Sequence, residues 1–162
     1  MKGWIGIFVL VAGVVMSCVS ADAATKSNGI VSVTIPDTWQ FGDDRYYIDF
    51  HRSDSPTRIL GLVNAYIADG GTAREVAEYR CNSAREDGNN CDTIQDAFIG
   101  PHAPAVYVYV FEKDGLTTLS YFAVISGTDT MIELGITAPQ GLFSERPGFL
   151  NDVDFIKDNL RF

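Results

Sequence analysis

The sequence predicts an α+β domain built as an α/β/α sandwich around a central, mostly antiparallel sheet. Three observations carry this. Strand patterns fall in two runs, one before and one after a single well-capped helix, and a second amphipathic helix closes the chain. The last three strands are joined by tight turns, Asp114-Gly115 and Gly127-Thr128-Asp129, which only an antiparallel meander allows. The central strands are apolar on both faces, which calls for cover on both sides.

Each element follows from its local pattern. After Gly29, Val31, Val33 and Ile35 alternate with Ser32 and Thr34 in a short strand that Pro36-Asp37 ends. Over 45–51, Tyr46, Ile48 and Phe50 alternate with Tyr47, Asp49 and His51, a half-buried strand. Ser53-Asp54-Ser55-Pro56 is a turn cluster. Residues 58–68 then place Leu60, Leu62, Asn64 and Tyr66 on one face and Ile59, Val63, Ala65 and Ile67 on the other. Both of these faces are expected to be covered.

Asp69-Gly70-Gly71 breaks that strand, and Thr72-Ala73-Arg74-Glu75 reads as a capping box in which hydroxyl and carboxylate reach each other's backbone amides. The helix it opens runs to about Glu86, with Val76, Ala77, Tyr79, Cys81 and Ala84 available to face inward. A weak strand over 93–99, a Pro-flanked loop over 100–104, and strands over 105–113, 116–126 and 130–138 follow. The strand over 105–113 sets Val106, Val108 and Val110 opposite Tyr107, Tyr109 and Phe111. Residues 139–148 read as an irregular loop holding Leu142 and Phe143. The last helix, from about Pro147 to Asn159, aligns Phe149, Val153, Ile156 and Leu160.

The N-terminus reads as an export signal. Lys2 precedes a 13-residue apolar run from Trp4 to Met16, too short to span a bilayer as a helix, and Ala21-Asp22-Ala23 offers small residues for cleavage. Residues 1–23 are therefore expected to be a secretory signal peptide, 24–28 a short tail and 29–162 one domain. Alternatively, Val15-Met16-Ser17-Cys18 resembles a lipoprotein box, with 1–17 removed and Cys18 lipidated. The product is periplasmic or secreted in the first case and lipid-anchored to the envelope in the second. The chain carries 12 Lys+Arg against 21 Asp+Glu, a net charge of −9 that loss of residues 1–23 leaves unchanged. That charge argues against nucleic acid or an anionic membrane surface as partner, leaving the lipid anchor as the one membrane link.

In an oxidising compartment Cys81 and Cys91 are expected to form a disulfide joining a helix to the start of a strand. A Zn site made by these thiols with His102 lacks a fourth ligand at sensible spacing, and the spacing is not that of a redox pair. No metal or other cofactor is implied. His51 and His102 have no Gly-x-Ser-x-Gly turn to work with. The acidic pairs Asp43-Asp44 and Glu86-Asp87 lie in expected turns, and 87–92 lacks the spacing of a calcium loop. No catalytic residue is assigned, and an enzyme is not expected. The aromatic row Tyr107, Tyr109, Phe111, extended by Tyr121, is the candidate partner-binding patch if one end is left uncovered.

The Ile35-Pro36-Asp37-Thr38-Trp39 segment, the Tyr-rich strand, the Thr-capped helix and the Tyr-Val hairpin together resemble the PsbP-like superfamily. So does the ending, Ile136-Thr137-Ala138-Pro139, the loop with Phe143, the amphipathic helix and Leu160-Arg161-Phe162. That fold is shared by the photosystem II subunit PsbP, a Ran-binding nuclear protein and DcrB-type bacterial envelope lipoproteins. The resemblance spans about 29–162 and implies a binding and assembly module with no shared catalytic set. The expected function is an exported module that binds a protein partner in the bacterial envelope, with immunity against a secreted toxin as its more specific form. The other class is a small-ligand carrier or enzyme with a pocket under the 139–148 loop.

Overall fold

A computed structural model describes residues 23–44 and 46–162. The leader over 1–22, with Cys18 and most of the cleavage site, lies outside the described residues, as does Arg45. The described chain runs β1 (Ala24–Ser27), β2 (Ser32–Ile35), β3 (Trp39–Phe41), β4 (Ile48–Arg52), β5 (Leu60–Ile67), α1 (Ala73–Glu86), β6 (Asn90–Cys91) and β7 (Gln95–Ile99). It continues through β8 (Ala103–Phe111), β9 (Leu116–Val124), β10 (Thr130–Pro139), α2 (Gln140–Glu145) and α3 (Pro147–Asp158). The main sheet has the order β3-β4-β5-β10-β9-β8-β6, with β7 also on β8, and its described pairings are antiparallel.

The two sheet faces bury different cores. Successive strand residues point to opposite sides. Leu134 packs with Val63, Ile132 and α3's Phe149, Val153 and Ile156, whereas neighbouring Glu133 bonds Arg80 of α1. The helices α1 and α3 therefore lie on opposite faces, as a sandwich requires. The α3 face holds the larger core, which includes Val31, Val33 and Ile35 from the β1–β2 hairpin and closes with Leu160. Each such fully buried side chain contributes about 1.5–3 kcal/mol relative to exposure. Ser32 and Arg161 exchange backbone hydrogen bonds of 2.8 and 2.9 Å, tying the hairpin to the C-terminal end. On the other face Ala77 and Cys81 pack on Val106, Val108, Phe122 and Met131.

Glycine is required at position 61, where the ring of the cross-strand partner Phe50 crosses the backbone and fills the space any Cβ would take. At Gly115 the hairpin turn takes a φ of 84°, the conformation expected of that turn.

Four expectations are corrected. Tyr79 faces solvent at 76% exposure, because Ala77, Cys81 and Ala84 define the buried stripe and residue 79 lies on the far side of the helix. The tail over 24–28 contains β1, which pairs with β2 through its backbone and a Thr25–Thr34 hydroxyl contact of 2.9 Å, a pairing no apolar alternation announces. Within 139–148 a short helix, α2, seats Phe143 against Tyr109 and Phe149. The Leu60–Leu62 face of β5 is not covered: Leu60 is exposed and Leu62 half-buried.

Candidate functional site

The uncovered face of β5 is the floor of a groove of about 510 Å³. Its floor is two ladders of side chains set by register. One runs Asp49–Leu62–Gly135–Ser120 and passes under α1 at the buried Val108, and the other runs His51–Leu60–Thr137–Thr118–Val110, each across β4, β5, β10, β9 and β8. Residues directly opposite on paired strands share a face, so these ten positions present together. Gly135 and Ser120 have little bulk, and α1 packs over the β8–β9 corner rather than over this part of the sheet. Small residues below and a missing helix above make the hollow.

The polar groups are held in place. Thr118 Oγ1 donates to Glu112 Oε1 at 2.9 Å and lies 2.8 Å from Thr137 Oγ1, so the hydroxyls form a relay ending on a carboxylate. The Asp49 carboxylate accepts from the Asp44 amide at 3.2 Å and presses against the Cα of Gly42, where a side chain would collide with it. On the rim, a hydrogen bond to the Asp44 carboxylate, together with its charge, holds the Tyr47 phenol above its ordinary pKa.

At the α1 edge Arg80 Nη2 meets Glu133 Oε1 at 2.6 Å. Glu133 is only 7% exposed, whereas about half of the Arg80 side chain is open to solvent. The same pair borders a second hollow of about 460 Å³, lined by Tyr66, Ile67, Asp69, Glu75, Val76 and Tyr79 among others. Burial, with the Glu133 charge adding to it, raises the Tyr66 phenol pKa there. The two hollows adjoin at Arg80–Glu133 and form a trough along β5, with α1 as one wall.

The aromatic row lies on the opposite face. Tyr121 is buried, while Tyr107, Tyr109 and Phe111 are half-buried, in contact with one another and partly roofed by Phe143. The Tyr107 hydroxyl donates to Gln95 Oε1 at 2.9 Å. Beneath α2 a cleft of about 290 Å³ remains, bordered by Tyr109, Phe111, Thr117, Gln140 and Phe143. The larger hollow is thus across the sheet from the 139–148 segment. Cys81 and Cys91 are joined with Cα atoms 5.5 Å apart, which pins α1 to β6 beside the groove. Among the described residues no group of three or more His, Cys, Asp or Glu is placed to hold a metal ion. No local sequence pattern announces the groove, because its residues come from five strands of the sheet, the ends of their loops and α1. Only the two-faced apolar pattern of β5 hinted at it.

No family model and no curated protein matches this chain in sequence. Solved structures do match it in fold. The solution structure of cyanobacterial PsbP (CyanoP) from Synechocystis is 11% identical with a TM-score of 0.57, covering 93% of this chain and 98% of its own. The Saccharomyces cerevisiae Ran-binding protein Mog1p is 12% identical with a TM-score of 0.55, covering 88% and 96% respectively. A Bacteroides thetaiotaomicron protein is 14% identical with a TM-score of 0.52 over 86% of this chain, which spans about half (47%) of its length. The chain therefore has a PsbP/Mog1-like fold, as the sequence resemblance implies.

Proposed function

We propose that this chain is an exported, non-enzymatic module that binds a protein partner in the bacterial cell envelope through the trough beside α1. The observation that carries this reading is the uncovered sheet face, where Leu60, Leu62 and Val110 form an apolar floor ringed by positioned polar groups. The fold adds support, since a Ran-binding protein has the same architecture. Export rests on the leader pattern of residues 1–23. Immunity against a secreted toxin is one form of this role, in which the acidic surface meets a basic toxin face.

The test is site-specific photo-crosslinking in cells expressing the chain with its own leader. A photoreactive residue replaces Leu60 in the trough or, as control, Phe155 on α3. The reading expects one discrete protein adduct from position 60, absent from 155 and re-formed when the purified components are mixed. No adduct at 60, or the same adducts from both positions, overturns it. The same preparation fixes the compartment by fractionation. Intact mass distinguishes a start at Ala24 from a lipidated Cys18.

A further inference from the structure

The geometry points to the chemistry of the partner: an extended, cationic segment whose basic side chains alternate with apolar ones, admitted by exchange of Arg80 away from Glu133. This rests on the protein-binding reading above and adds the partner's charge, its conformation and the gate.

Charge is the first argument. Among the described residues five carboxylates border the two hollows, Asp49, Glu112 and Glu133 in one and Asp69 and Glu75 with Glu133 in the other, against the Arg80 guanidinium. A partner that desolvates this surface must bring positive charge or leave carboxylates unpaired, which is costly. Shape is the second. The trough follows β5, 8 residues long, so at about 3.3 Å per residue an extended segment of similar length spans it. Such a segment points alternate side chains to opposite sides, so one lying on edge over β10 turns apolar ones toward Leu60 and Leu62 on β5 and basic ones toward Glu133 and the α1 wall. A helix, roughly 10 Å across, has no comparable register with two strand ladders.

The gate is the third. Glu133 is the most buried of these carboxylates, and it is held by a guanidinium half in water. That guanidinium stands where the two hollows meet. An incoming lysine or arginine satisfies Glu133 in its place, and Arg80 swings into solvent with little loss because half of it is already hydrated. The buried carboxylate is never left without a cation, and the two hollows become one channel. Arg80 is thus an internal competitor for the site.

The experiment titrates the folded, disulfide-bonded domain with an eight-residue peptide alternating lysine with valine, and with its glutamate–valine counterpart, by calorimetry and amide shift mapping. The expected result is binding of the lysine peptide alone, with shifts at Leu62, Glu133 and Gly135. Arg80→Met should bind it at least about fivefold more tightly, and Glu133→Gln at least about tenfold more weakly, at low ionic strength. Should Arg80→Met fold poorly, the paired Arg80→Met/Glu133→Met variant removes both charges and is expected to bind no more tightly than the parent. Equal binding of both peptides, or an Arg80→Met affinity no higher than the parent's, overturns the inference. If the crosslinked adduct at position 60 survives that outcome, the binding role stands and only its chemistry is wrong. If no adduct forms, the binding role itself fails.

Discussion

Tyr121 lies on β9 under the α3 side of the sheet, its ring 5.5 Å from that of Tyr107. Burial, with Tyr109 and Asp154 adding to it, raises its phenol well above the ordinary value near 10. Below that value both folded and unfolded chains keep the proton. Above it the unfolded chain loses the proton and the folded chain does not, so stability falls as pH rises by about 1.4 kcal/mol per unit for each such group. Tyr109 is shifted the same way, again chiefly by burial. Urea midpoints at pH 9, 10 and 11 should therefore fall, and Tyr121→Phe should flatten the decline between 10 and 11; an unchanged slope refutes the assignment. Nearer the start of the same strand, Thr117 Oγ1 is buried without a hydrogen-bond partner among the described residues, between Phe111 and Ala138. An unpaired hydroxyl contributes nothing that offsets its desolvation. Thr117→Val should raise stability by up to about 1 kcal/mol in denaturant unfolding, and a loss of that size would show that the hydroxyl has work to do in the cleft beneath α2.

At the scale of elements, α1 shows what a sequence makes plain and what it hides. Its start was legible because a capping box is a local chemical fact: the Glu75 amide donates to Thr72 Oγ1 at 3.2 Å, and the Thr72 amide to Glu75 Oε2 at 2.8 Å. Its disulfide was legible too, from compartment and parity. Its inward face was legible only in part, since Tyr79 is apolar enough to be read inward while the tertiary contacts belong to the Ala77–Cys81–Ala84 stripe. The meander β8–β10 declared itself through alternation and turn glycines. By contrast β1 and β3 are only 4 and 3 residues long, and α2 is only 6 residues long with glycine inside it, so no periodicity can build up. The trough was invisible for the same reason: an uncovered face is a property of where α1 lands, not of β5. Because Cys81–Cys91 fixes that landing, its removal has two expected effects. With a sequence separation of 10, Cys81→Ala/Cys91→Ala should cost about 2–3 kcal/mol, less any strain relieved. It should also raise hydrogen exchange in α1 and β6 more than in α3, because the cross-link anchors only the α1 layer; a uniform rise would show that the two layers open as one unit.

For the whole molecule, the −9 charge and the trough belong to one argument. A surplus of one sign opposes compaction, and the carboxylates most costly to the fold are those gathered where few cations answer them. Asp49 and Glu112 are two of these. Each does accept a hydrogen bond, but from a neutral donor, the Asp44 amide and the Thr118 hydroxyl. An amide in place of either carboxylate keeps an acceptor oxygen for that bond and removes the charge. If the carboxylates served the fold, Asp49→Asn/Glu112→Gln would destabilise it. If they serve a cationic partner, the free domain carries them at a loss, and the double variant should be more stable by about 0.5–1 kcal/mol, or roughly 2–4 °C in Tm for a domain of this size. The gain should be largest at low ionic strength and mostly vanish in 0.5 M salt, where the screening length falls to roughly 4 Å. Scanning calorimetry at both salt concentrations decides the matter. A double variant that melts lower than the parent at low salt would assign these two carboxylates to holding the sheet together rather than to receiving anything laid across it.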